Sequence, residues 1–168
     1  MPTFACMNKV YLLLGSNLGD RHAFLRLAVR HIGKAIGTVT RMSACYSTEP
    51  WGKSDQPDFL NQVIVVQTQQ PAEETLNRIL AIEKKMGRTR NTRYDPRTID
   101  IDILFYNKEI IRQPQLTIPH PHIAERRFVL TPLNELSPGF IHPVYHKNIH
   151  QLLSICRDPL LVKKNNPC

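Results

Sequence analysis

From Ile99 to Phe105 the chain reads I-D-I-D-I-L-F, and that alternation leaves the backbone little choice. Successive strand residues point to opposite faces, so Asp100 and Asp102 share one face. Ile99, Ile101, Ile103 and Phe105 are expected to fill the other and anchor it in a core. The segment before it, from Gly87, carries four arginines: Arg88, Arg90, Arg93 and Arg97. Two carboxylates fixed on a strand suit Mg²⁺, a hard ion that takes oxygen ligands. Guanidinium forks beside them suit phosphate. The stretch therefore reads as a place where magnesium and a polyphosphate meet. The alternative is an exposed strand face beside a solvated basic loop. It explains neither the apolar alternation nor the density of arginines.

The rest of the chain supplies a frame for that strand. Lys9–Gly15 is apolar enough for a buried strand. The turn Ser16–Gly19 and an N-cap at Asp20 then open a helix to about Ile36. Phe24, Leu27, Ala28, His31 and Ile32 recur along it at helical spacing, and Gly37 ends it. His31 on that face reads as a core or boundary histidine. Arg41–Thr48 is a second strand, Pro50–Pro57 a turn-rich loop and Asp58–Thr68 a third strand. Pro71 opens a second helix carrying Leu76, Ile79, Leu80 and Met86, with Gly87 as its C-cap. Strand–helix–strand occurs twice. This is the α+β, ferredoxin-like βαββαβ sandwich: an antiparallel sheet with helices on one face. The proline-broken C-terminal third is expected to be an irregular extension with one short helix over Asn148–Cys156.

A chain of 168 residues is expected to form one domain, 1–168. No apolar run reaches the ~20 residues needed to cross a bilayer. The start of the chain does not read as a signal peptide. Cys6, Cys45, Cys156 and Cys168 form no CxxC pair, so zinc is not expected and a reduced cytoplasm fits. With 22 basic and 14 acidic residues the net charge is +8, which favours a polyanionic partner. The cations concentrate in the arginine segment rather than along a helix, favouring a nucleotide over a duplex. Lys163 and Lys164 read as solubilising charge.

Other signals are weaker. GSNLGD is neither GxGxxG nor GxxxxGK[ST]; it reads equally as a tight turn or as a helix N-terminus that attracts an anion. Phe59 and Asn61 lie on one strand face, where a ring and an amide can stack on a flat heterocycle and read its edge. The alternative is an edge position with Asn61 capping a loop. His120 and His122 lack a third ligand at zinc spacing. His120 and the Arg126–Arg127 pair read better as phosphate or nucleotide contacts.

Four blocks together resemble the 6-hydroxymethyl-7,8-dihydropterin pyrophosphokinase family: YLLLGSNLGDR, YSTEPWGKSDQPDFLNQV, EKKMGRTRNTRYDPRTIDIDILFY and LTIPHPHIAERRFVLTPLNEL. They span nearly the whole chain. The resemblance implies transfer of diphosphate from ATP, as co-substrate, to the hydroxymethyl group of the pterin, leaving AMP, in folate biosynthesis. It implies that Asp100 and Asp102 hold two Mg²⁺ ions and that Arg88 and Arg97 act catalytically. ATP contacts fall on Glu83, Arg90, Arg93, Tyr94, His120 and Arg126. The pterin pocket falls on Thr48, Glu49, Trp51, Phe59, Asn61 and Phe128, with Phe59 and Phe128 about the ring. The partners implied are the two small substrates, with no nucleic acid and no membrane, for a cytoplasmic monomer.

Three residues depart from the family's pattern: Asp95 before Pro96, Tyr94 in place of a tryptophan, and Phe59 without a tyrosine hydroxyl. The loops around Lys53 and Arg90 are expected to move. A ferredoxin-like RNA-binding module and a magnesium-dependent phosphohydrolase are the rivals. The first lacks the RNP-type strand, and the second gives no reason for Phe59 and Asn61.

Overall fold

The sheet is built around β1 (Asn8–Ser16), whose residues from Val10 onward are all buried. The computed structural model describes residues 5–50, 55–88, 97–165 and 168. After β1 come α1 (Arg21–Ala35), β2 (Thr38–Met42), β3 (Cys45–Thr48), β4 (Phe59–Thr68), α2 (Ala72–Lys85) and β5 (Asp100–Tyr106). The small hairpin β6 (Ile111–Gln113) and β7 (Leu116–Ile118) follows, then α3 (Arg127–Leu136), α4 (Ile149–Ile155) and β8 (Val162–Asn165). The main sheet runs β5-β1-β4-β3-β8, with β2 also on β4, and every pairing is antiparallel. The two βαβ units and this order are the ferredoxin-like arrangement expected.

Local chemistry sets the element ends. Asp20 Oδ1 accepts from Ala23 N at 3.0 Å and starts α1. Gly87 stops α2 at φ +84, where a side chain would strain the backbone. The expected single strand 41–48 is divided at Ser43. Its hydroxyl accepts from Val63 N at 3.0 Å and donates to Ala44 O at 2.7 Å, so a side chain enters the ladder.

Two cores lie on opposite faces of the sheet. On one, Val10, Leu12, Leu14, Leu60, Ile64 and Ile101 pack with Leu25, Ala28 and Ile32 of α1 and Ile79 and Ile82 of α2. Leu27, read from the sequence as part of that stripe, is instead 40 % exposed. The buried arc follows 25, 28 and 32, and Leu27 lies off its flank. On the other face Tyr11, Leu13, Val63 and Val65 pack with Val129 and Leu133 of α3 and Leu152 of α4. The C-terminal extension thus supplies a second helical layer. α4 starts from a capping box between Asn148 and Gln151. Arg127, grouped with Arg126 as a phosphate contact in the sequence, ties this layer together. Its guanidinium donates to the carbonyls of Asp158 and Cys156, and its N–H to the Asp158 carboxylate.

β5 does not alternate to its end. Tyr11 faces Phe105 while Leu12 faces Ile103, so Leu104 is an extra residue in the ladder. Phe105 therefore joins the α3 core instead of the face of Ile101 and Ile103, as the simple alternation implied.

The return from α1 to β2 is tight. An added Cβ at Gly37 would sit 2.1 Å from the Gln67 carbonyl oxygen, whereas one at Gly33 would meet nothing within 4 Å. Gly37→Ala should cost about 1–3 kcal/mol in urea unfolding. Gly33→Ala should gain about 0.5–1 kcal/mol from helix propensity. Equal effects of the two would contradict the packing described.

Candidate active site

The candidate residues gather at one end of the α3 face because three strands are in register there. Gly15 of β1 lies opposite Asn61 of β4 on one side and Asp100 of β5 on the other. Phe59 and Thr48 face each other at the ends of β4 and β3. One row across the sheet thus joins the ring-and-amide pair to the carboxylate pair. An added Cβ at Gly15 would come within 3.0 Å of Asn61 Oδ1 and 3.8 Å of Phe59 Cδ1. The row needs glycine at its middle, a role not singled out from the sequence.

Asp100 is gripped from two sides. Arg88 Nη1 donates to its Oδ1 at 2.6 Å and Arg97 Nη1 to its Oδ2 at 2.6 Å. Arg88 also donates to Glu83 Oε1 at 2.5 Å. Burial alone would lower the pKa of Arg88. Asp100, Glu83 and Asp102 outweigh it, and the pKa is raised. Glu83 is buried on α2, and its Oε1 accepts from Ile101 N at 2.8 Å. Among the described residues β5 is an edge strand, so this carboxylate satisfies a ladder N–H that has no strand partner there. The sequence suggested an ATP contact at Glu83; in the structure it braces α2, Arg88 and β5.

Asp102 stands one pleat further along. Its carboxyl is pushed up from 3.8 to about 7, by burial first and then by the charges of Asp100 and Glu83. Three acidic groups this close repel unless cations stand among them, and this donor set fits a hard divalent ion. His120 is pushed down to about 4 by burial and by the Arg126 and His122 charges. Its ring is therefore neutral at neutral pH. Its Nδ1 accepts from His122 N at 3.2 Å, which leaves the proton on Nε2 as a donor. Arg126 lies 5.8 Å over the Phe128 ring at the start of α3.

On the other flank Asn61 Nδ2 donates to Thr48 Oγ1 at 2.9 Å, so this buried amide has a partner. Phe59 and Phe128 are partly buried, and Glu49 is exposed beyond the end of β3. Trp51, Lys53, Arg90, Arg93, Tyr94 and Asp95, with the expected loop motions, lie outside the described residues.

Asn17 went unnoticed in the sequence beyond its place in GSNLGD. It is 1 % exposed. Its Oδ1 accepts from Arg97 N at 2.7 Å, and its Nδ2 donates to Gln56 Oε1 at 3.1 Å and to Pro57 O at 3.3 Å. Its N–H also donates to Arg97 O at 3.1 Å. One side chain after β1 thereby pins the Arg97 segment to the loop that leads into Phe59.

A protein-family model described as 7,8-dihydro-6-hydroxymethylpterin-pyrophosphokinase matches residues 11–138. The chain is 46 % identical over 130 residues to the 2-amino-4-hydroxy-6-hydroxymethyldihydropteridine pyrophosphokinase of Bacillus subtilis, covering 77 % of this chain and 78 % of that one. It is 39 % identical over 145 residues to the enzyme of the same name from Aquifex aeolicus, covering 86 % and 90 %. The fold matches the crystal structure of wild-type Plasmodium falciparum HPPK-DHPS with a TM-score of 0.72 at 20 % identity. That match covers 89 % of this chain and 44 % of the other.

Between 3.8 and about 7 an unfolded Asp102 has lost its proton while the folded one retains it. Stability of the metal-free protein should therefore fall as pH rises through that window. With EDTA present, the Tm of the wild type should drop relative to Asp102→Asn over this range, and Mg²⁺ should restore it at the upper end. Parallel Tm–pH profiles for the two proteins would refute the raised carboxyl.

Proposed function

We propose a diphosphate transfer on this sheet face, because the chain belongs to the 7,8-dihydro-6-hydroxymethylpterin-pyrophosphokinase family. It is a pyrophosphokinase: diphosphate passes from ATP to the hydroxymethyl group of 6-hydroxymethyl-7,8-dihydropterin, in folate biosynthesis. The hydroxymethyl oxygen bonds to the β-phosphorus, the bond from that phosphorus to the α-phosphate oxygen breaks, and AMP leaves with the electron pair. The hydroxyl proton passes to solvent.

The observation that carries our assignment of residues is the single row Asn61–Gly15–Asp100. It supports a pterin held by Phe59, Asn61, Thr48 and Phe128 with its hydroxymethyl arm directed along the row to the phosphates. Asp100 and Asp102 would hold Mg²⁺, and we put forward two ions. Bound there, the cations neutralise charge on the phosphate chain and orient it for in-line displacement. Arg88 and Arg97 hold Asp100 in the free protein. We assign them a change of partner: with a metal ion held by that carboxylate, they would be released to bind the phosphates. His120 donates from Nε2 to a phosphate or nucleotide oxygen as a neutral group, and Arg126 supplies charge beside it. Glu83 and Asn17 position the arginines. No general base is required, because positioning and electrostatics suffice for phosphoryl chemistry.

We further assign this work to one domain, as a cytoplasmic monomer where ATP is at hand. Among the described residues no helix is long and apolar enough to cross a membrane. Arg88 and Arg97 are paired with carboxylates rather than set in a basic stripe, which supports a nucleotide over nucleic acid as partner.

With ATP, Mg²⁺ and the pterin, mass spectrometry should find AMP and the pterin diphosphate in equal amounts; inorganic phosphate instead would sink the reading. Asp100→Ala and Asp102→Ala should each reduce kcat by about a thousand-fold or more while remaining folded by circular dichroism. Arg97→Ala should lower kcat on the order of a hundred-fold with a much smaller change in ATP affinity, because its phosphate contacts belong to the transition state.

Gly15→Ala tests the row separately. It should raise the KM for the pterin more than that for ATP, since the new methyl crowds Asn61 and Phe59. Unchanged pterin KM would reject the placement of the heterocycle.

A further inference from the structure

A second group of reactive side chains lies on the opposite face of the sheet, under α1. β8 runs back along β3 with Asn165 opposite Cys45, which returns residue 168 to the start of β3. The sequence showed four scattered cysteines. The fold joins Cys45 to Cys168 across 123 residues of chain. His22, in the first turn of α1, reaches the same point. One ring nitrogen and the two sulfurs all lie within 4.8 Å of one another. Among the described residues no hydrogen bond holds the His22 ring.

We propose that His22, Cys45 and Cys168, with the cysteine pair reduced, bind a zinc-class ion. Two thiolates and an imidazole are the donors such ions select. A tetrahedral ion with bonds of about 2.3 Å to sulfur and 2.0–2.1 Å to nitrogen sets its donors about 3.5–4 Å apart; the two sulfurs, joined in the oxidised pair, would part to that distance by side-chain rotation, with their Cα atoms 5.2 Å apart. The charges also agree. Cys45 has no exposed surface. A dication, two thiolates and a neutral imidazole sum to zero, so no bare charge is buried beside the core. The three donors come from α1, β3 and the segment after β8, and a fourth position is left for water.

An ion has a way in. His22 and Cys168 are each partly exposed, so the ion need not cross the core to reach them. In a reducing compartment a disulfide is not maintained, and cysteines brought together in an intracellular protein more often serve as ligands. A dithiol or phosphine supplies the two electrons that break the sulfur–sulfur bond, and two protons complete the thiols. The ion then displaces both protons to solvent. This cluster shares no residue with the diphosphate-transfer site, so the inference stands apart from that reaction.

Co²⁺ is the probe, added to full-length protein reduced with a phosphine. The carboxylates of the other site would also take Co²⁺, but oxygen ligands give no thiolate-to-cobalt absorption in the near ultraviolet. The wild type should show that band, saturating at one equivalent and abolished by competing Zn²⁺. Cys168→Ser should lose it. His22→Ala should weaken binding by about tenfold or more while retaining a thiolate band. Pyrophosphokinase activity should be unchanged in both variants. Absence of the band in reduced wild type would overturn the site, as would equal bands in wild type and Cys168→Ser. Unweakened binding in His22→Ala would remove the histidine from it and overturn the proposal as stated.

Discussion

Asp100 cannot be left with its acidic neighbours alone. Asp102 and Glu83 crowd the same strand end, and the arrangement stands because Arg88 and Arg97 each place a guanidinium nitrogen 2.6 Å from Asp100. Much of the local architecture serves that balance. Glu83 braces Arg88 from α2 and occupies the open edge of β5. Asn17 holds the Arg97 backbone from the end of β1. The free protein thus keeps both guanidiniums already paired. A bare polyanion would have to separate them from a carboxylate at the cost of leaving that partly buried charge unpaired beside Glu83 and Asp102. On the assignment proposed above, a polyanion that arrives with its own divalent ion offers both partners a replacement, so the site would prefer metal-bound nucleotide.

How much of this could be read from residues alone varied with the range of the interaction responsible. The alternation around Asp100 and Asp102 is local, and its reading as one strand face survived as far as Ile103. It failed at Phe105 because the bulge at Leu104 depends on how β1 and β5 meet, which no single-strand pattern records. Asp20 and Gly87 announced their helix ends through local chemistry, a side-chain oxygen at the first and the lack of a Cβ at the second. The buried arc of α1 was displaced by the position of the helix on the sheet, so Leu25 replaced Leu27.

Long-range effects were the least legible. β8 has no apolar alternation, and it pairs with β3 only because the helices of the second layer return the chain there. Cys45 and Cys168 meet for the same reason. Gly15 and Asn17 sit inside a motif that resembled an ordinary turn, and their significance comes from partners across the sheet and on distant loops. The sign that could have drawn notice to Asn17 is an amide next to a wholly apolar strand, since a buried amide needs several partners. The neutral state of His120 follows from tertiary burial and from Arg126, so the segment PHPH alone could not supply it.

The row Asn61–Gly15–Asp100 also acts as a ruler. Neighbouring strands are held about 4.8 Å apart by their hydrogen bonds, so the two outer side chains start about 9–10 Å apart across β1. That interval is a property of the peptide backbone and not of any side chain. Substitutions in the surrounding loops can alter what is gripped at either end, but they cannot stretch the gap. On the placement proposed above, an acceptor whose alcohol extends a bond too far or too short from its ring would overshoot or miss the phosphorus however well the ring itself fitted, and discrimination by length would follow from the spacing of the sheet.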